Sequence, residues 1–158
     1  KLAICMYYTH GPQCSIILKS ESDTRGSLYI CNLPYAYTSI PVGKSIVSLT
    51  QFGKGAIFNA DSHNYHVVNI QDRESSDLTS HFDSCTKFIY EELTKGLDVY
   101  VHCNMGKSRS ATVIAAYLMR YKLMSAMDAL DYIYTKHANA NPNTGFINQL
   151  LKYQPTEW

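Results

Sequence analysis

Cys103 and Arg109 stand six positions apart in the stretch HCNMGKSRS, His102 to Ser110. A cysteine and an arginine at that spacing can make two sides of one anion site. A thiolate attacks phosphorus, and a planar guanidinium fork matches two phosphoryl oxygens where a lysine would supply only a point charge. The same stretch holds Gly106-Lys107-Ser108, the closing triplet of a nucleotide-binding loop, so two phosphate chemistries compete. The nucleotide reading fails, because such a loop needs a glycine five residues before the triplet, and Val101 occupies that place. A second triplet, Gly43-Lys44-Ser45, fails in the same way at Thr38. Without that glycine the backbone cannot wrap tightly enough to aim its amides at a phosphate.

The flanking sequence states what positions the pair. LDVYVH, Leu97 to His102, reads as a buried strand, and SATVIAAYLMRY, Ser110 to Tyr121, reads as a helix. A loop between a strand and a helix N-terminus gathers unpaired N–H groups at the positive end of a dipole. Asn104, Met105, Gly106, Lys107 and Ser108 are therefore expected to surround a substrate phosphate, with Arg109 closing the ring. A thiol at the start of the loop feels the same field, so the pKa of Cys103 is expected to fall well below about 8.5.

Thiolate attack expels an alkoxide only if an acid protonates the leaving oxygen. Asp72 directly follows the strand-like run YHVVNI and is expected to emerge at the same sheet end as Cys103. Glu74 and Asp77 compete for the role, although Asp77, with Ser76 and Thr79, better fits the cap of the next helix.

Elsewhere the pattern predicts strands at Leu28–Asn32, Ala56–Asn59 and Tyr65–Ile70, and a weak helix at Lys44–Gln51. From Thr79 the period changes: Phe82, Cys85, Ile89 and Leu93 recur at helical spacing until Gly96. Cys85 accordingly reads as a core residue rather than a redox partner of Cys103. Further helices are expected at Ser125–His137 and Thr144–Tyr153. Strands alternating with helices imply an α/β fold, a central largely parallel sheet flanked by helices, with ligands at the C-terminal strand ends. Residues 1–21 read as an N-terminal extension without assigned role, a hairpin against the sheet edge or an ordered arm, and 22–158 as the catalytic domain.

With 158 residues and 46% apolar content, the chain can bury one substantial core. Cys5, Cys14, Cys31, Cys85 and Cys103 form no paired framework, so neither a disulfide scaffold nor a zinc site is expected. The His63 and His66 pair lacks the further ligands that zinc needs. A net charge of +1 offers no broad surface for nucleic acid, and no apolar run approaches the roughly 20 residues of a membrane span. The chain reads as reduced and intracellular, cytoplasmic or nuclear. Because it begins at Lys1 rather than methionine, it reads as a fragment.

His-Cys, five residues and Arg-Ser resembles the signature of the cysteine-dependent protein tyrosine phosphatase superfamily. The wider pattern is similar to its dual-specificity branch: Gly106 to Ser110, AYLM at Ala116 to Met119, NPNTGFINQL at Asn141 to Leu150, and the upstream VNIQDRESSDLTSHFDSCTKFI. The resemblance spans roughly Ser22 to Tyr153. It implies hydrolysis of phosphotyrosine and phosphoserine or phosphothreonine through a phosphocysteine, with no metal or organic cofactor. It implies that Asp72 is the general acid and that His102 holds the cysteine backbone by hydrogen bonds and keeps the thiol acidic. Ser110 would donate to the thiolate leaving the phosphocysteine, Gly106 would permit the tight turn, and Asn143 would fix a turn beneath the loop. The expected partner is a phosphorylated protein, a MAP kinase being one candidate; oligomeric state is not legible. Two alternatives stand beside this reading: a phosphatase for a phosphoinositide, phospholipid or phosphoglucan, for which Lys107 is the relevant residue, and an inactive phosphopeptide-binding module.

Overall fold

A computed structural model describes residues 11–20, 22, 24–52 and 60–156. Within them lie five strands: β1 (Cys14–Leu18), β2 (Leu28–Cys31), β3 (Ser45–Thr50), β4 (Asn64–Asn69) and β5 (Val99–His102). Five α-helices accompany them: α1 (Leu33–Thr38), α2 (Thr79–Thr94), α3 (Arg109–Lys122), α4 (Ala126–Lys136) and α5 (Thr144–Lys152). The sheet order is β1-β2-β5-β3-β4. The last four strands run parallel, and β1 adds an antiparallel edge to β2.

Alternation along β5 sorts its side chains between two cores. Val99 and Val101 join the large core built with α2, α3, α4 and α5, whereas Tyr100 turns to a smaller cluster with Cys31 and Ala36 of α1. Tyr29 stacks on Tyr100 with ring centroids 4.4 Å apart. On α2 the anticipated residues Phe82, Cys85, Ile89 and Leu93 are all buried. Burial pushes the Cys85 thiol up to about 12, which makes it an inert core residue.

Lys44 to Gln51, expected as a weak helix, is instead strand β3, buried at every position from Ser45 to Thr50. A parallel strand with neighbours on both sides and cover on both faces shows no polar alternation. Its β-branched Ile46, Val47 and Thr50 favour the strand. Lys44 and Ser45, the tempting pair in the second triplet, are structural. Lys44 Nζ lies 2.8 Å from Asp98, which also accepts the Ser27 N–H, and Ser45 donates to Glu92 on α2 at 2.6 Å. Those bonds tie the N-terminal ends of β2, β3 and β5 together, at the opposite strand ends from the loop that follows β5. Helix α1 escaped the sequence reading because it is six residues long; Asn32 caps it by accepting the Tyr35 N–H, and Pro34 sits in its first turn. The strand expected at Ala56–Asn59 lies outside the described residues. Of residues 1–21, Cys14 to Leu18 form β1, whose Ile17 enters the core.

Candidate functional site

The loop from Cys103 to Ser108 leaves the C-terminal end of β5 and enters α3 at Arg109, as the flanking sequence predicts. Cys103 and Ser108 at the two ends of the loop, and Arg109 and Ser110 at the start of α3, are buried, while Met105 between them is exposed. Cys103 Sγ lies 3.2 Å from Ser110 Oγ, within hydrogen-bond reach of a thiolate. Arg109 donates through Nη1 to the Ile70 carbonyl at 3.0 Å, while its Nε is buried without a protein partner. The guanidinium is thus fixed to the end of β4 at one corner and has a donor to spare.

Gly106 has φ +67°, and a Cβ there would stand 2.9 Å from the Cys31 carbonyl group. Only glycine gives both the left-handed turn and the close approach to the end of β2. The carbonyl of Gly106 is also held: His137 Nε2 lies 3.0 Å from it, and the other ring nitrogen is 2.8 Å from Ser15 Oγ. Because a carbonyl can only accept, Nε2 carries the proton and Nδ1 accepts from Ser15. Burial lowers the His137 pKa, in keeping with the neutral ring this bridge needs.

Neither His102 ring nitrogen makes a hydrogen bond of good geometry, yet the ring faces the Cys103 backbone closely enough for that contact to favour its protonated form. The ring is fully buried, and that burial pushes its pKa down to about 4; the adjacent Cys103 backbone opposes the shift only in part. His102 is a neutral ring at the foot of the loop.

Asp72 stands across the cavity mouth, two residues beyond the Ile70 that anchors Arg109. Its Oδ1 accepts from Ser108 Oγ at 2.7 Å and from Asn143 Nδ2 at 2.8 Å. Ser108 Oγ in turn accepts the Asn143 N–H at 3.1 Å. One carboxylate oxygen is therefore tethered. Asp72 lines the cavity while Glu74 does not, and Asp77 accepts the Ser80 N–H at 3.2 Å, which puts it at the start of α2 as expected.

Helix α5 holds the loop that carries Asp72, and sequence reasoning missed this. Asn143 does fix its turn, accepting the Phe146 N–H at 2.9 Å as the helix cap, but the same side chain reaches Asp72. Gln149 Oε1 accepts the backbone N–H groups of Leu78 and Thr79, and its Nε2 donates to the Ser76 carbonyl. A Cβ on Gly145 would meet the Glu74 carbonyl oxygen at 2.1 Å, so glycine lets α5 lie against the loop backbone. The repeated polar and glycine positions of NPNTGFINQL were the available signal. Their partners are about 70 residues away, so no local pattern names them.

The cavity between these loops has a volume of about 410 Å³ and is lined by Cys103, Asn104, Met105, Lys107, Ser108, Arg109 and Asp72. Gln51, Gln71, Arg73 and Asn141 complete its wall, and none of these four stood among the expected site residues. A buried thiol at the base, a guanidinium beside it, a helix N-terminus behind and a carboxylate at the mouth can bind a phosphate ester, attack it and protonate its leaving oxygen. Among the described residues no group of three potential ligands could hold a metal ion.

Residues 43–156 match the family profile "Dual specificity phosphatase, catalytic domain". The chain belongs to the dual-specificity phosphatase family. It is 46% identical over 87 residues to a putative tyrosine phosphatase 123R of Invertebrate iridescent virus 6, covering 55% of this chain and 61% of that protein. It is 44% identical over 90 residues to dual specificity protein phosphatase 1 of Arabidopsis thaliana, covering 57% of this chain and 46% of that one. The matched segment thus spans about half the length of these curated relatives. Among solved structures, the human tyrosine phosphatase-like serine/threonine/tyrosine-interacting protein superposes with a TM-score of 0.78 at 28% identity, over 89% of this chain and 94% of that one. The five-stranded mixed sheet flanked by helices is the fold of dual-specificity phosphatases.

Proposed function

We propose that this chain hydrolyses phosphotyrosine and phosphoserine or phosphothreonine in protein substrates through a phosphocysteine intermediate. The observation that carries the reading is the convergence on one cavity of a buried Cys103 within 3.2 Å of Ser110, the Arg109 guanidinium, and a tethered Asp72. The Cys103 thiolate attacks phosphorus, and the Arg109 fork with the loop N–H groups takes up charge on the equatorial oxygens. Asp72 gives its proton to the departing oxygen. In the second step Asp72 accepts a proton from water, the water oxygen attacks phosphorus, and Ser110 donates its hydroxyl to the leaving Cys103 thiolate. The carboxylate stands exposed at the mouth, which suits a phosphorylated side chain presented on a protein. A phosphorylated MAP kinase is one such substrate. No helix among the described residues is long and apolar enough to cross a membrane.

The test is phosphate release from phosphotyrosine and phosphothreonine peptides by wild type and by Cys103→Ser. The serine hydroxyl stays protonated, so turnover is abolished while capture of the phosphopeptide persists. Turnover by the serine variant at the wild-type rate overturns the nucleophile. Peptide binding without turnover by wild type instead makes the chain a phosphopeptide-binding module.

A further inference from the structure

Two of the cysteines that the phosphatase reading leaves unused stand opposite one another across two strands. Cys14 of β1 pairs in register with Cys31 of β2. The neighbouring Asn32 N–H donates to the Gln13 carbonyl at 3.0 Å. That bond makes Gln13 and Asn32 the hydrogen-bonded pair of the antiparallel ladder, and alternation makes Cys14 and Cys31 the adjacent non-hydrogen-bonded pair. Residues so placed have Cα atoms about 4.5 Å apart with side chains on one face. A disulfide needs a Cα separation of roughly 4.4–6.8 Å. Both side chains pack in the same small cluster with Ala36 and Tyr100, and both thiols are free in this structure.

We propose that Cys14 and Cys31 are a reversible disulfide site, closed by hydrogen peroxide and reopened by thiol reductants. The two cysteines have different environments suited to different steps. Cys14 is half-buried, within reach of a small oxidant, and its pKa is lowered by hydrogen bonds from the Cys31 thiol and the Tyr35 hydroxyl, which outweigh the opposing effect of burial. Cys31 is wholly buried, and burial with the adjacent Cys14 keeps it protonated. The Cys14 thiolate attacks one peroxide oxygen, the O–O bond breaks, and hydroxide leaves, giving a sulfenic acid. The Cys31 sulfur then attacks that of Cys14, the S–O bond breaks, and the Cys31 proton leaves with the hydroxyl as water. Overall, a pair of thiols and one peroxide become a disulfide and a pair of waters, with two electrons passing to the peroxide. The bridge would fasten the edge strand β1 directly behind the catalytic loop, since the Cys31 carbonyl backs Gly106 and the Leu33 N–H bonds to the Asn104 carbonyl at 3.0 Å.

The experiment treats the full chain with hydrogen peroxide, alkylates the remaining thiols, digests with trypsin without reduction, and maps linked peptides by mass spectrometry. Cys5 shares the tryptic peptide 2–19 with Cys14, so the work is done in a Cys5→Ser background, with and without Cys103→Ser. The expected result is peptide 2–19 joined to peptide 26–44, the loss of a pair of titratable thiols, and recovery of both with dithiothreitol. The linkage must persist with Cys103→Ser and vanish with Cys14→Ser. Recovery of Cys14 and Cys31 as alkylated thiols after peroxide overturns the proposal, as does a Cys31 bridge to Cys103. The readout is a covalent mass and does not depend on phosphatase turnover, so the two readings fail separately.

Discussion

The cavity has two walls of different construction. The loop at 103–108 is anchored in the core: Cys103, Gly106 and Ser108 are buried, with Met105 exposed between them, and its shape is set by contact with β2, by His137 and by the start of α3. The loop at 71–75 is surface: each of its residues is exposed, and its order comes from Asn143 and Gly145 of the α5 segment and from Ser108 of the facing loop, which donates to Asp72. The difference matches the demands of the two chemical tasks. Stabilising charge on phosphorus requires preorganised dipoles shielded from water, where they are worth most. Delivering a proton requires a carboxylate that can reach an incoming side chain and exchange protons with solvent. Changes at Cys103 or Arg109 in the buried wall should therefore harm every substrate alike. Changes in the exposed wall should harm only substrates that need a proton.

The largest effect should follow Arg109→Lys. A lysine cannot both hold the Ile70 carbonyl and present a planar fork, so kcat/KM should fall at least about a hundredfold. The loss should be equal for poor and good leaving groups, measured on a phosphotyrosine peptide and an activated aryl phosphate. A loss confined to the poor leaving group would break the division between the walls.

A smaller and selective effect should follow Gly145→Val, which removes the close approach to Glu74 and shifts the acid loop without touching the cavity. Turnover of the phosphotyrosine peptide should fall roughly tenfold, and that of the activated ester by much less. The buried loop should remain intact, seen as unchanged binding of the peptide in a Cys103→Ser background. Equal losses on both substrates would mean that α5 supports the whole cavity rather than one wall.

The smallest effect concerns stability alone. His102 is buried neutral with its pKa lowered to about 4, so the unfolded chain binds the proton more readily than the folded one below about 6.5. Its contribution to stability is therefore present above about pH 6.5 and is lost as pH falls toward about 4, by up to about 3 kcal/mol. His137, also lowered by burial, acts in the same direction. The melting temperature of wild type should decline across that window, and His102→Gln should flatten the decline. An equally steep decline in the variant would place the acid sensitivity elsewhere.

The buried wall was legible in the sequence because it is contiguous: strand, cysteine, five residues, arginine and helix follow one another in eight positions beyond β5. Asp72 was legible because a strand carries it to the same sheet edge. His137 and Gln149 were not, since each acts on a segment far away in the chain and neither carries a local pattern of its own. His102 was legible as the neighbour of the cysteine, but the complete burial that lowers its pKa depends on the packing around β5. Strand β3 was misread because its complete burial erases the alternation that separates strand from helix, and a glycine-lysine-serine triplet at its start distracts from the bonds Lys44 and Ser45 make. Helix α1 is too short for its period to register.

Asp72 is expected to supply a proton to the leaving group while the buried loop does the rest. The most direct test of that role is the dependence of kcat on leaving-group pKa across a series of aryl phosphates, for wild type and Asp72→Ala. Wild type should show a nearly flat dependence and the variant a steep one, with a loss of roughly a hundredfold at phenol-like leaving groups that shrinks toward the most acidic ones. Parallel lines for the two proteins, or a steep line produced by Glu74→Ala with Asp72→Ala unchanged, would contradict it.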